Sequence, residues 1–173
     1  VPVYNVSWFA SAMFAEWVGA RLPLEPEWEY ACRAGTNTRY WSGDSEDDLA
    51  RVGWHGDNRG GGNAGGHPHP VAQKCPNGWG MYDVHGNVME WCLDKGGDYA
   101  LRADGLTVDP PRLTFTIGGS SSESATLVDH NAPRVLRCGS WHLTTGYARS
   151  AARNWMSPSN SNRTIGFRLA LSP

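Results

Sequence analysis

Two stretches of this sequence hold residue types able to do chemistry. The first reads Asn77-Gly78-Trp79-Gly80-Met81-Tyr82-Asp83-Val84-His85-Gly86-Asn87-Val88-Met89-Glu90-Trp91. Asp83 and Glu90 are hard oxygen donors flanking a glycine turn, and such a turn exposes backbone carbonyls. Calcium seeks roughly six to eight oxygens of this kind. The same two acids can equally satisfy buried backbone donors, and the residues alone leave both uses open. The second stretch runs from Trp141 to Phe167. It holds no acid, and its one histidine, His142, has no obvious partner to orient it as a base. Tyr147 and Trp155 stand there among Ser, Thr, Asn and Arg. Rigid amphipathic rings with small adaptable polar groups are what a binding surface uses. The expectation is a ligand-binding surface rather than an active site.

Smaller candidates carry less. His67-Pro68-His69-Pro70 is an isolated H-x-H in an extended loop, the weakest form of a metal motif. Gly60–Gly66 lacks the Lys-Ser/Thr pair of a phosphate loop. Cys32, Cys75, Cys92 and Cys138 form no C-x-x-C pair, so zinc is not expected. They read as small buried hydrophobes or as disulfides, with the first preferred.

The elements that must position these residues are partly legible. A helix is expected from Ser7 to Gly19, with Ser7 as N-cap and Phe9, Met13 and Trp17 on one face. A second is expected over Glu25 to Ala34, with Pro26 in its first turn and Trp28, Ala31 and Cys32 buried. Residues 35–80 read as loop, including the acidic run Asp44, Glu46, Asp47 and Asp48. Short strands follow at Gly80–Val84, Val88–Cys92, Val135–Ser140 and Gly166–Leu171. Arg112–Asn131 reads as a Ser/Thr-rich excursion loop.

Composition bounds the rest. The chain has 173 residues, enough for one domain, 1–173, with a real core. Its formal charge of -2 argues against an electrostatic nucleic-acid binder. No apolar run is long enough for membrane insertion, and no signal peptide is visible. Twenty-one Gly and nine Trp point away from a helical bundle, toward long loops pinned by large rings.

Five landmarks together resemble the formylglycine-generating-enzyme (sulfatase-modifying-factor) superfamily. They are Pro2-Val3-Tyr4-Asn5-Val6-Ser7-Trp8, Arg21-Leu22-Pro23-Leu24-Glu25-Pro26-Glu27-Trp28-Glu29-Tyr30, Gly80–Trp91, Arg137-Cys138-Gly139-Ser140-Trp141, and Gly166-Phe167-Arg168. The resemblance implies an α+β fold, a C-type lectin fold variant with two N-terminal helices, short antiparallel strands and long loops. It implies a structural calcium site, with side-chain oxygens from Asp83 and Glu90 and carbonyls from Gly86 and Val88. A second calcium site maps onto Arg51 and Asn63, which suit it poorly. The chain departs from the family at Leu24 for Thr, Met89 for Trp and Cys138 for Gly. The copper-binding cysteines of true generators fall at Leu143 and Ala148, so no copper is expected, since Cu(I) seeks thiolates.

The C-terminal part, 134–172, also resembles the variable region of diversity-generating-retroelement proteins. That resemblance makes Arg149, Ser150, Ala151, Arg153, Pro158, Gly166 and Phe167 scaffold. It makes His142, Leu143, Thr144, Tyr147, Ala152, Asn154, Met156, Ser161, Arg163 and Thr164 candidate variable positions, with Trp155 an added binding ring. Met156 fits least, because an Asn codon altered only at adenines cannot become Met. The function expected is a non-catalytic receptor-like domain for a protein or glycan ligand, at a cell surface, secreted or on a virion. The alternative is an oxidase acting on a peptide cysteine or small thiol.

Overall fold

The computed structural model describes residues 1–56, 62–97 and 131–171. Most of the expected Arg112–Asn131 loop, Gly60 and Gly61, and the last residue of the 134–172 region lie outside them. Three helices, α1 (Trp8–Trp17), α2 (Glu25–Arg33) and α3 (Glu46–Val52), precede strands β1 (Met89–Lys95), β2 (Arg134–Arg137), β3 (Asn154–Met156) and β4 (Ile165–Phe167). The sheet order is β3-β2-β1-β4. β1 and β3 pair antiparallel with β2, but β4 runs parallel to β1, so the sheet is mixed. No helix among the described residues is long and apolar enough to cross a membrane.

β1 is buried on both sides, and its alternation builds two cores. Met89, Trp91 and Leu93 meet Leu136, Ile165 and the α1 residues Trp8 and Ala12. On the other face Cys92 and Val135 meet Trp28 and Cys32 of α2.

α1 starts where Ser7 accepts a hydrogen bond from the Ala10 N–H at 3.2 Å. Its buried stripe is Trp8, Ser11, Ala12 and Ala15, not Phe9, Met13 and Trp17. Met13 is 54% and Trp17 80% exposed, while Phe9 packs at the core's edge. The helix is apolar nearly all round, so spacing alone did not choose the stripe. The small side chains won because they allow close approach, and Trp8 Nε1 donates to Cys92 O at 2.8 Å.

α2 lacks a capping side chain because Leu24 has no acceptor. β1 supplies one instead: Asp94 Oδ2 accepts from the Glu25 N–H at 2.6 Å. Glu27 closes the other half by accepting from the Leu24 N–H at 2.9 Å.

Two expectations fail within 35–84. α3 forms inside the expected loop, because Ser45 and Asp48 cap each other's backbone N–H groups at 3.1 Å. The expected strand Gly80–Val84 is a turn. Asn77 Oδ1 accepts from the Trp79 and Met81 N–H groups, both at 3.0 Å, and Gly80 and Asp83 take positive φ. β3, with three residues, had no readable pattern. All four cysteines are free thiols, three of them buried.

Asp94 is buried beside Glu25 and Glu27, and burial pushes its pKa up to about 6. The fold therefore holds the Asp94 proton more tightly than the unfolded chain does. Stability must fall as pH rises from the ordinary carboxyl range through 6. Asp94→Asn keeps an acceptor for the Glu25 N–H and removes the charge. At pH 7 it should melt above the parent by about 2–4 °C or more, with the curves meeting near pH 4. A lower melting temperature for the variant at pH 7 would contradict this cost.

Candidate functional site

The stretch after β2 leaves the sheet through Cys138, at a φ of 69°. A side chain there is strained by about 1 kcal/mol or more. The thiol has work to offset this: its sulfur accepts from the Gly86 N–H at 2.9 Å and lies 3.2 Å from Gly86 O. The strand exit is thereby tied to the Asp83–Glu90 turn.

Backbone bonds fix the next residues. Trp141 N–H donates to Asn87 O at 2.8 Å and Gly56 N–H to Leu143 O at 2.9 Å. Trp141 Nε1 reaches Arg163 O at 3.0 Å, and its ring meets His142 edge-on at 5.3 Å. Trp141 thus touches both the His142 ring and the Arg163 backbone. A 3-10 turn, Thr145–Ala148, carries Tyr147. Tyr40 Oη donates to Thr145 O at 3.1 Å, and Thr145 Oγ1 bonds Glu46 of α3 at 3.0 Å.

Two buried polar groups hold the floor beneath. The His85 ring accepts at Nε2 from the Trp41 N–H, 2.9 Å, so its Nδ1 carries the proton toward Ala148 O, 2.8 Å away. Burial pushes this histidine down to about 4, keeping it neutral. Arg137 donates to Ser150 O at 2.8 Å, to Ala152 O at 3.0 Å and to Glu25 at 3.3 Å, and it contacts Glu29. Arg153 grips Glu25 with two bonds of 2.6 and 2.8 Å.

This floor sorts the candidates. His142, Tyr147, Trp155, Ser161 and Arg163 are exposed; Thr144, Asn154 and Thr164 are half-buried. Thr164 is turned to the Asn162 side chain, which takes its N–H and Oγ1 at 2.8 and 2.6 Å. Ala152 is only 9% exposed, so the structure withdraws it from the surface. Leu143 and Met156 pack against the α1-side core. Nor do all the candidates share one patch. Trp155 is opposite Val135 in the ladder and takes the α2 side of the sheet, whereas Asn154, opposite Leu136, takes the other. The implied copper positions hold apolar side chains, with Ala148 fully buried beside Tyr40 and Leu49.

Asp83, Gly86, Val88 and Glu90 line one cleft of about 590 Å³, together with Tyr82 and Phe167. Asp83 Oδ2 accepts from the Ala72 N–H at 2.9 Å, while its buried Oδ1 has no hydrogen-bond partner among the described residues. Burial raises the Asp83 pKa. Glu90 is engaged by Arg168, at 2.7 Å from Nη2, and by Trp28 Nε1 at 2.7 Å. Hard oxygens, with one left bare, fit a cation. Arg51 pairs with Asp48 at 2.6 Å, and Asn63 accepts from the His55 N–H at 2.9 Å, so both are committed elsewhere. Among the described residues no three His, Cys, Asp or Glu side chains group to hold a metal. His69 stacks on Trp54 at 3.8 Å, its Nε2 2.9 Å from Ala64 O. Sequence reasoning passed over His85, Cys138 and Arg168 as functional supports, since nothing local marks a residue whose partners lie 44 or more positions away.

A family model described as the sulfatase-modifying factor enzyme 1-like domain matches residues 1–173. The chain is 37% identical over 188 residues to the formylglycine-generating enzyme of Streptomyces coelicolor, covering 98% of this chain and 52% of that one. It is 33% identical over 171 residues to the serine/threonine-protein kinase pkn1 of Chlamydia caviae, covering 98% of this chain but 24% of the kinase. It thus spans about a quarter to a half of these relatives. Among solved structures, Treponema denticola variable protein 1 superposes with a TM-score of 0.78 and 27% identity, covering 99% of this chain and 71% of that one.

Replacing Arg137 tests the floor. Arg137→Met takes one donor from each of Ser150 O, Ala152 O, Glu25 and Glu29 and should cost about 3–5 kcal/mol. Amide exchange at 148–153 should speed up more than exchange in α1. Uniform loosening of both would show that Arg137 does not hold this stretch in particular.

Proposed function

The chain belongs to the sulfatase-modifying factor enzyme 1-like family, and on that scaffold we propose a non-catalytic domain that binds a protein or glycan through its C-terminal surface. One observation carries the reading. The two positions where the family resemblance places copper-binding cysteines are Leu143 and Ala148, packed inward, while exposed polar and aromatic residues stand on a rigid floor around them. The floor orders the backbone before any ligand arrives, which lowers the cost of binding.

Likeness to a variable protein of 27% identity supports the diversified form of this proposal. In that form His142, Tyr147, Ser161 and Arg163 are the positions free to vary, since their side chains leave the core untouched. Leu143, Ala152 and Met156 then act as scaffold, and the awkward Met codon ceases to be a difficulty. A cell-surface, secreted or virion location suits such a domain. We also propose a structural cation at Asp83, calcium by the family resemblance, with Gly86, Val88 and Glu90 around it. It would satisfy the bare Oδ1 and stiffen the turn that Cys138 grips.

Tyr147→Ala and Trp155→Ala test the surface. Screened on glycan arrays and displayed cell-surface proteins, the parent should capture a target that Tyr147→Ala weakens by about tenfold or more. Its melting temperature should stay within about 2 °C of the parent. Trp155→Ala reports whether the edge strand joins the contact. Equal loss of binding and stability would sink the reading. For diversification, a near-copy of the Trp141–Phe167 coding segment should lie beside a reverse-transcriptase gene and differ only at adenines; differences at other bases would refute it.

A further inference from the structure

α1 is a ten-residue helix with one charged side chain, Glu16. A helix that is apolar nearly all round belongs in an interior. The body of the protein covers only the stripe Trp8, Ser11, Ala12 and Ala15. The outer side stays in water: Trp17 stands almost wholly exposed, Met13 more than half, and Phe14 and Val18 nearly half. Met13 with Trp17 and Phe14 with Val18 are i, i+4 neighbours on the helix surface. Exposed apolar patches of this kind mark sites of interaction.

The patch continues off the helix. The Phe14 ring meets Trp17 at 5.8 Å and Phe167 of β4 at 5.7 Å. Phe167 in turn lines the cleft of about 590 Å³, which Val3 and Leu169, themselves exposed, also line. A projecting ring, Trp17, and a recess thus belong to one continuous apolar face. Beside it Arg21 pairs with Glu27 at 2.6 Å and Arg168 with Glu90 at 2.7 Å, so these charges are matched within the chain.

Rings of about 150–250 Å² and aliphatic side chains of roughly 60–120 Å², at these exposures, offer about 400–500 Å² of apolar surface. A stable pair of proteins buries about 800 Å² on each partner, a little over half of it apolar. The face therefore holds the apolar share of one interface. A two-fold contact joins the same patch on both chains, so that patch must be complementary to itself. A projection and a recess on one face, with matched charges beside them, meet that condition.

We propose that this face pairs with a second copy of the chain, α1 packing across α1 and each Trp17 entering the other copy's cleft. The contact uses none of His142, Tyr147, Trp155, Ser161 and Arg163, so it stands apart from the ligand-binding reading.

Sedimentation equilibrium across the micromolar range should show a saturating species of twice the 18.9 kDa chain mass. Trp17→Glu should weaken the dimer by about a hundredfold or more, because a lost hot spot counts on both sides of a two-fold contact. Met13→Lys gives the same test if Trp17→Glu does not fold. Leu169→Glu, at the cleft, should weaken the dimer too; an unchanged dimer there overturns the seating of Trp17. Tyr30→Glu alters an exposed ring on α2 and should leave the dimer intact. Equal loss with Tyr30→Glu, or species that keep growing beyond two chains, overturns the proposal in favour of general stickiness. A chain that stays monomeric throughout also overturns it and leaves the face to a different partner.

Discussion

One buried ionic knot governs how the C-terminal stretch can lie. Glu25, at the start of α2, faces Arg137 from β2 and Arg153 from the loop before β3, and the side chains of Glu25 and Arg137 are almost wholly removed from water. Removing Glu25 takes the shared acid from two arginines, one of them fully buried. Because Arg137 also donates to Ser150 O and Ala152 O, only one path of residues 148–153 satisfies the knot. Such a pair contributes little net stability over a well-packed apolar substitute, so its use here is positional. It fixes α2, the sheet and the outer loop in one arrangement.

The rest of the site follows from that constraint. With 150–153 fixed, Ala148 is pressed between Tyr40 and Leu49, and His85 can reach its carbonyl. The 3-10 turn is then held at both ends, and Tyr147 projects from it. On the far side Trp141 bridges the Asn87 turn and Arg163, so two distant segments share one anchor. Cys138 shows a compensation of the same kind. It accepts backbone strain at a position that suits glycine, and its thiol secures the turn next to the Asp83 cleft.

Much of this was readable in the sequence where signals are local. Ser7, Pro26 and the Gly turns marked element ends, and the five landmarks gave the family and the fold. The failures were physical ones. α1 is apolar on several sides, so its buried stripe depended on what the sheet offered: an acceptor for Trp8 Nε1 and room only for small residues. α3 was hidden because its acidic run looks like a solvated loop unless Ser45 and Asp48 are seen to cap one another. The parallel β4 pairing and the pleat that sends Trp155 to the α2 side are set by register, which no local pattern reports. Within the site, sequence located the stretch but not its sorting. Ala152, Leu143 and Met156 are turned toward the interior by backbone paths that no local pattern reports.

In the proposed function this stretch holds a partner and is not a metal centre that oxidises one. The direct measurement is titration of the reduced chain with Cu(I) against a competing chelator, paired with oxygen uptake in the presence of a cysteine-containing peptide. Leu143 and Ala148 offer no thiolates, and burial raises the pKa of the Cys32, Cys92 and Cys138 thiols, which keeps them protonated. The expected result is no stoichiometric copper binding and no uptake above the protein-free rate. One tightly held copper per chain, with sustained oxygen consumption dependent on the peptide thiol, would contradict it.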